Sequence, residues 1–178
     1  GMTTRLRFGT DVLVLPYRNP VELAHVVASA DQLCGGRLTL GAGIGYIRGE
    51  FEAMGAPPYE ERGRVTTEYL RVLRTLWESG GEKVSFAGRY VQLADVHQAP
   101  PPLQQPFPLL VGGNSDRALE RAALHGTGWH PLFPTPQKYR AGRDTILEHR
   151  RRAGITEPFH FAMSCPGTQV VLESDPPS

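Results

Sequence analysis

Short apolar runs alternate with helical stretches along most of the chain, and this alternation limits the possible folds. Four helical stretches separate five runs that have the β-branched and aliphatic composition of buried strands. Strands that alternate with helices form βαβ units, whose strands lie parallel in a sheet covered by helices. The sequence therefore predicts an α/β fold with a mainly parallel sheet. The five predicted strands are residues 6–15, 38–40, 109–111, 129–133 and 159–163.

Local signals define the first helices and a hairpin. Asn19 can accept hydrogen bonds from the N–H groups of a first helical turn, and Pro20 suits the first helical position. Gly35 and Gly36 favour the end of that helix. A hairpin is predicted over residues 84–93. A second long helix is predicted from one apolar face with helical spacing, formed by Val65, Tyr69, Val72, Leu73 and Leu76.

Length, charge and cysteine content narrow the class of protein. The 178 residues suffice for one domain over 1–178, with a flexible tail from about 173. A complete (β/α)8 barrel needs roughly 200 to 250 residues. A net charge of +1 provides no field to attract nucleic acid or an anionic membrane. No apolar run approaches the roughly 20 residues that span a bilayer, and the two cysteines form no metal motif. We expect a cytoplasmic protein without a metal site.

A first glycine cluster follows the second predicted strand. Gly41, Gly43 and Gly45 would let the backbone approach a ligand closely. The cluster is not a dinucleotide-binding fingerprint, because Tyr46 stands where the third glycine is required. Two interpretations remain open: a ligand-binding loop, or a tight turn from strand to loop.

A second glycine cluster, Gly112-Gly113-Asn114-Ser115, lies between a strand and a helix. The N–H groups and positive dipole of that helix N-terminus can hold an anion, with Asn114 and Ser115 as further donors. The alternative is ordinary helix capping by Asn114 or Ser115. His130 lies on or just after the next strand. Two interpretations remain open: its side chain faces a ligand pocket, or it has no role in ligand binding. The sequence has no nucleophile motif and no obvious carboxylate pair, so the catalytic residues are not assigned.

Several motifs, taken together, resemble the luciferase-like monooxygenase family, in particular its coenzyme F420-dependent branch. The resemblance covers roughly residues 5–152. It implies an incomplete (β/α)8 barrel of the TIM type, shortened at both ends, because family members have two further strands and helices before this region. The motifs are TDVLVLPYRNP at 10–20, DQLCGGRLTLGAGIGY at 31–46, EFEAMG at 50–55, VGGNS at 111–115 and GTGWHP at 126–131.

The resemblance also implies a cofactor, with coenzyme F420 as first choice and FMN as second. In the family the cofactor lies at the carboxyl ends of the strands, and the loops after strands four and five hold its phosphate tail. A non-proline cis peptide often lies in a bulge of strand three, which corresponds to about Thr10-Asp11. The implied cofactor-binding residues are Thr10, Asp11, Gly41, Gly43, Gly45, Gly112, Gly113, Asn114 and Ser115.

The function implied by the resemblance is that of a flavin- or F420-dependent oxidoreductase. It would catalyse hydride transfer to, or oxygenation of, an unknown small organic substrate. The alternative is a non-catalytic remnant that dimerises and binds only an anion or a cofactor phosphate. An incomplete barrel exposes sheet edges, so we expect a homodimer with an apolar interface near residues 6–15.

Overall fold

The computed structural model describes residues 3–163, and its elements follow the predicted alternation. The predicted tail from 173, and Cys165, lie outside the described residues. The strands are β1 (Phe8–Gly9), β2 (Leu13–Val14), β3 (Leu38–Gly43), β4 (Lys83–Ala87), β5 (Gln92–His97), β6 (Leu109–Gly112), β7 (Gly128–His130) and β8 (His160–Phe161). The α-helices are α1 (Pro20–Cys34), α2 (Arg48–Ala53), α3 (Arg62–Trp77), α4 (Asp116–His125) and α5 (Pro136–Arg152).

The main sheet is parallel, and its neighbour order follows the chain. Both β1 and β2 pair with β3, and the order continues through β6, β7 and β8. The predicted α/β fold with a mainly parallel sheet is confirmed. Strands β4 and β5 form a separate antiparallel hairpin, as predicted over residues 84–93.

The first predicted strand, 6–15, is broken in the structure. β1 and β2 are separated by a bulge at residues 10–12, in which the Asp11–Val12 peptide bond is cis. This bond lies one position after the expected Thr10-Asp11 bond. The Thr10 hydroxyl donates to the Gly41 carbonyl at 2.8 Å and accepts from the Gly41 N–H at 2.9 Å. The bulge is therefore attached to β3 by a side chain as well as by the Thr10 backbone N–H, which donates to the Thr39 carbonyl at 3.4 Å.

The hydrophobic core lies between the sheet and its helices. Side chains alternate across a strand, so one face of the sheet points at the helices and the other points away from them. We call these the outer face and the inner face. The outer face contributes buried side chains to the core from Leu40, Ala42, Leu109, Val111 and Trp129. The inner face presents the alternate residues Thr39, Gly41, Gly43, Leu110, Gly112, Gly128 and His130.

The helix signals in the sequence are realised. The Asn19 side chain accepts from the N–H groups of Val21 and Glu22, and α1 begins at Pro20. Gly35 ends α1 in the left-handed region with φ of 68°. All five residues of the predicted apolar face of α3 are buried. These local rules place α1 and α3 over the outer face.

A buried carboxylate attaches the hairpin to α3. Glu68 accepts hydrogen bonds from three consecutive backbone N–H groups, those of Arg89, Tyr90 and Val91, at 2.7–2.8 Å. Gly88 is required beside it, since a Cβ atom there would lie 2.3 Å from a Glu68 carboxylate oxygen. The hairpin turn is thus held by its backbone rather than by apolar packing alone.

Candidate functional site

The carboxyl ends of β2, β3, β6 and β7 meet at one end of the sheet. The register pairs Ala42 with Val111 and Gly112 with His130. The loops that follow β3 and β6 therefore open at the same end, and the two glycine clusters are neighbours. This is the end at which parallel α/β folds bind ligands.

The first glycine cluster makes room for the chain's own bulge. A Cβ atom on Gly41 would lie 2.1 Å from the Thr10 carbonyl oxygen, and one on Gly43 would lie 2.7 Å from a Val12 methyl group. Gly45 has φ of 74°, which fits the alternative of a tight turn from strand to loop. The space in front of Gly41 and Gly43 is filled by protein. Their assignment to a phosphate tail stays a prediction.

In the second cluster, both polar side chains are engaged within the protein. Ser115 is the N-cap of α4, and its Oγ accepts from the Ala118 N–H at 3.3 Å. The Asn114 amide donates to the Leu132 carbonyl at 2.8 Å and accepts from the Leu132 N–H at 3.3 Å. Capping, one of the two interpretations, is therefore realised for Ser115. The capacity that remains for an anion is that of the first-turn N–H groups and the helix dipole.

The loop backbone before α4 is also fixed. The Trp129 indole N–H donates to the Gly113 carbonyl at 2.8 Å. Gly113 has φ of 113°, a conformation that side-chain-bearing residues rarely adopt, and a Cβ there would lie 2.8 Å from the Ala118 Cβ. Asp116 stands in the first turn of α4, and its carboxylate opposes the binding of an anion there. The site combines an anion-favouring backbone with one unfavourable charge.

A histidine–aspartate pair lies on the inner face next to this loop. His130 Nε2 and Asp11 Oδ1 are 2.6 Å apart, although the residues are 119 positions apart in sequence. A carboxylate can only accept, so the imidazole donates in this contact. The His130 side chain is 14% exposed and the Asp11 side chain is 67% exposed. Of the two groups, the carboxylate is the one that a ligand on the inner face would meet.

Tyr17 lies just beyond β2, near the same end of the sheet. Its hydroxyl donates to a Glu50 carboxylate oxygen at 2.9 Å. Burial, followed by this hydrogen bond and the Glu50 charge, raises the pKa of Tyr17 to about 12. The ring packs edge-on against Phe51 with centroids 4.9 Å apart. Tyr17 is therefore a fixed, protonated hydroxyl at neutral pH.

A groove of about 630 Å³ opens beside Tyr17, between the start of α1, residues 54–57 and the hairpin. The glycine clusters and Asp11 are not among its lining residues. Sequence reasoning missed this groove and the contact of Asp11 with His130, because both depend on elements far apart in the chain. No group of three potential metal ligands occurs within residues 3–163. None of the described helices is long and apolar enough to span a membrane.

Comparison with known proteins identifies the family. A family model described as luciferase-like monooxygenase matches residues 1–175. The chain belongs to the luciferase-like monooxygenase family. It is 35% identical over 161 residues to an uncharacterized protein of Mycobacterium tuberculosis, covering 90% of this chain and 54% of that protein. It is 32% identical over 130 residues to the FMNH2-dependent dimethylsulfone monooxygenase of Pseudomonas putida, covering 72% of this chain and 35% of that protein.

A solved structure supports the same conclusion for the fold. The F420-dependent secondary alcohol dehydrogenase in complex with an F420-acetone adduct superposes with a TM-score of 0.81 at 25% identity, covering 91% of this chain and 50% of that one. The expected fold, part of a TIM-type barrel, is confirmed. The chain spans between about a third and a half of the length of these relatives. The family includes both FMNH2-dependent and F420-dependent proteins.

Proposed function

We propose that this luciferase-like chain binds the phosphate-bearing tail of a flavin-type cofactor at the N-terminus of α4 and holds the ring along the inner face. It would act in hydride transfer to, or oxygenation of, a small organic substrate. The observation that carries the proposal is the fixed loop Gly112–Ser115, which leads from the inner face into the first turn of α4. Coenzyme F420 is the first choice and FMN the second, on family resemblance.

The residues present fit such a cofactor better at the second glycine cluster than at the first. A Cβ atom on Gly112 would meet its neighbours only at contact distances of 3.4 Å or more, so this position is less crowded than Gly41 or Gly43. The N–H groups of the first turn of α4 are the type of donor that binds phosphate in many α/β proteins. At Gly41 and Gly43 the bulge already occupies the equivalent space. We therefore assign the phosphate to the α4 side.

The cofactor, when bound, supplies the hydride or oxygen chemistry, and the chain supplies position and polarity. The loop Gly112–Ser115 and the α4 dipole orient the anionic tail. Asp11, held by His130, places a hydrogen-bond acceptor on the inner face. Tyr17, protonated at neutral pH, places a hydroxyl just beyond β2. These groups would orient a ligand and hold a proton near it.

Binding of F420 and FMN to two Ser115 variants tests this proposal. Ser115→Asn and Ser115→Asp both keep a side-chain acceptor for the Ala118 N–H, so both preserve the cap. Only the aspartate adds a negative charge at the helix N-terminus. We expect Ser115→Asp to weaken cofactor affinity by at least about threefold relative to Ser115→Asn, from the size of helix-dipole interactions.

Absorbance titration of the purified protein with each cofactor gives the two affinities. Equal affinities of the Asn and Asp variants would contradict a phosphate at this helix. A wild-type chain that binds neither F420 nor FMN would contradict the proposed function itself.

A second candidate function is a non-catalytic, dimeric protein that binds only an anion. Two exposed apolar side chains at the start of β1 favour this candidate: Leu6, just before the strand, is 61% exposed, and Phe8, within it, is 41% exposed. β1 pairs with β3 on one side, so its other edge can pair with a second chain. We propose a homodimer through this edge in either case. Light scattering of the wild type and of Phe8→Lys would test it, with a monomer expected only for the variant.

A further inference from the structure

The groove beside Tyr17 has the size and the lining of a small-molecule site. Its volume of about 630 Å³ lies within the range of roughly 300 to 1,000 Å³ that is usual for such sites. Met54, Val91 and Leu93 give it apolar walls, and three tyrosines give it aromatic ones. Neither glycine cluster lines the groove, so it is separate from the proposed cofactor site.

The three tyrosine hydroxyls of the groove differ in what they bind. The Tyr17 hydroxyl donates to Glu50 and the Tyr90 hydroxyl donates to Glu61, each at 2.9 Å. Tyr69 is only 9% exposed, and its hydroxyl has no hydrogen-bond partner in the described part of the chain. Because this hydroxyl is not sealed from solvent, it opens into the groove that Tyr69 lines. A phenol that is otherwise buried thus has its hydrogen bond free for a ligand.

Arg18 gives the groove a positive charge. Among the residues that line the groove it is the charged one, its side chain is exposed, and it forms no ion pair with a carboxylate of residues 3–163. Glu50 and Glu61 do not line the groove, and Glu61 is also paired with Arg89 at 2.7 Å. The groove therefore combines apolar walls with one cation and one free hydroxyl donor.

We propose that this groove binds a small organic carboxylate with an apolar body, in which the Tyr69 hydroxyl donates to the carboxylate and Arg18 balances its charge. A single cation suits a monoanion better than a phosphate ester, which carries nearly two negative charges at neutral pH. Burial, followed by the charge of Glu68, raises the pKa of Tyr69, so its hydroxyl keeps the proton that it donates. The inference does not depend on the proposed cofactor site.

Equilibrium binding of three probes to the full chain tests the class of ligand. Cinnamate has the apolar body and the charge, cinnamamide has the same body without the charge, and acetate has the charge without the body. We expect saturable binding of cinnamate, with cinnamamide bound about tenfold more weakly and no displacement of cinnamate by equimolar acetate. Calorimetric titration measures the affinities. Equal affinities for cinnamate and cinnamamide, or no saturable binding of cinnamate, would overturn the proposal.

Two substitutions locate the carboxylate within the groove. Tyr69→Phe removes only the free hydroxyl, and we expect it to weaken cinnamate binding about tenfold, the value of a hydrogen bond to a charged group. Tyr90→Phe is the matched control, since it removes a hydroxyl of the same groove that is already bonded to Glu61. Its affinity should stay within about twofold of wild type. Arg18→Gln should weaken binding about threefold, as an exposed ion pair is weak, and Arg18→Lys should retain it.

The variant at the N-terminus of α4 separates this groove from the cofactor site. Ser115→Asp adds its charge away from the groove and should leave the affinity for cinnamate unchanged. If Tyr69→Phe binds cinnamate as tightly as the wild type, or if Ser115→Asp weakens cinnamate binding instead, the groove proposal is wrong. If Tyr69→Phe weakens cinnamate binding while the wild type binds neither F420 nor FMN, the groove proposal stands and only the proposed function is contradicted.

Discussion

The two faces of the parallel sheet are built from side chains of very different size. The outer face carries leucine, valine and tryptophan side chains that are buried against the helices. On the inner face, glycine occupies four of the seven named positions, and the hydrogen-bonded side chains of Asp11 and His130 lie across it. Burial of large apolar groups stabilises a fold, whereas glycine contributes none of that free energy. The difference places most of the stabilising apolar burial on the outer face, whereas the inner face is the side to which we assign the ligand in our proposal.

Neighbouring leucines of β6 give the sharpest test of this division. Leu109 is buried in the core on the outer face, and Leu110 is half-buried on the inner face. We expect Leu109→Ala to lower the free energy of unfolding by about 3 kcal/mol, since it leaves a cavity in the core. Leu110→Ala should cost about 1 kcal/mol or less. Urea unfolding of both variants measures the two values, and similar losses would show that the inner face is also packed.

Glu68, which binds the backbone of the β4–β5 hairpin, tests whether the stability of the outer side also depends on polar contacts. Glu68→Gln replaces one of the two carboxylate oxygens that accept backbone N–H groups with an NH2 group, which cannot accept. The free energy of unfolding should fall by about 1 to 3 kcal/mol, and the backbone N–H groups of residues 89–91 should exchange hydrogen faster.

Glu61→Gln is the control for this anchor. Glu61 accepts from the side chains of Arg89 and Tyr90 rather than from the backbone. We expect this variant to lose less than about 1 kcal/mol. If both variants lower the free energy of unfolding equally, the backbone contacts of Glu68 stabilise the fold no more than the side-chain contacts of Glu61.

His125, at the end of α4, makes the outer side sensitive to acid. Burial, followed by the charges of Arg74, Arg71 and Arg121, lowers the pKa of His125 from its ordinary 6.5 to about 4. Between these two values the unfolded chain binds a proton that the folded chain does not. The contribution of neutral His125 to the free energy of unfolding is therefore complete above pH 6.5. It falls as the pH drops towards 4, and the decrease levels off below pH 4.

The partial exposure of His125 reduces the size of the effect to about 1 to 2 kcal/mol. Unfolding curves of the wild type and of His125→Gln are measured from pH 7 to pH 4. The difference between their free energies of unfolding at each pH gives the contribution of His125. A difference that stays constant over this range would contradict the lowered pKa.

Asp116 gives the smallest expected effect, at the ligand end of the sheet. Its carboxylate in the first turn favours the α4 dipole but repels an incoming phosphate. We expect Asp116→Asn to lower stability by a few tenths of a kcal/mol and to raise FMN affinity about twofold to fivefold. Calorimetric titration with FMN measures the affinity. If Asp116→Asn does not bind FMN more tightly than the wild type, the phosphate does not lie at the N-terminus of α4.

Local signals were sufficient to predict the outer side of the molecule. The cap at Asn19, the end of α1 at Gly35 and the buried face of α3 all depend on residues close in sequence. The alternation of strands and helices, together with the family motifs, gave the parallel sheet. Each of these rules relates a residue to neighbours within a few turns, and so a single sequence contains the information.

The inner face could be predicted only in part. The apolar composition predicted one strand over 6–15, and only the family resemblance implied a bulge near Thr10-Asp11, because the bulge depends on Gly41 and Gly43, about 30 positions later. The short helix α2 was not predicted. Asn114 was expected as a cofactor donor or a helix cap; the sequence did not predict its hydrogen bonds to Leu132, and its role as a cofactor donor stays a prediction. Contacts between distant segments decide these features, and no local pattern encodes them.

The order of strands in the sheet affects how the chain can fold during its synthesis. Each later strand pairs with one that has already left the ribosome: β3 with β1 and β2, then β6 with β3, β7 with β6 and β8 with β7. Within residues 3–163, a growing chain can therefore add each later strand of the main sheet to an existing edge, without inserting it between earlier partners. The contact between Asp11 and His130 forms later, because 119 further residues must be synthesised after Asp11 before His130 is present. The scaffold of the sheet can be in place before the charge on its inner face is fixed.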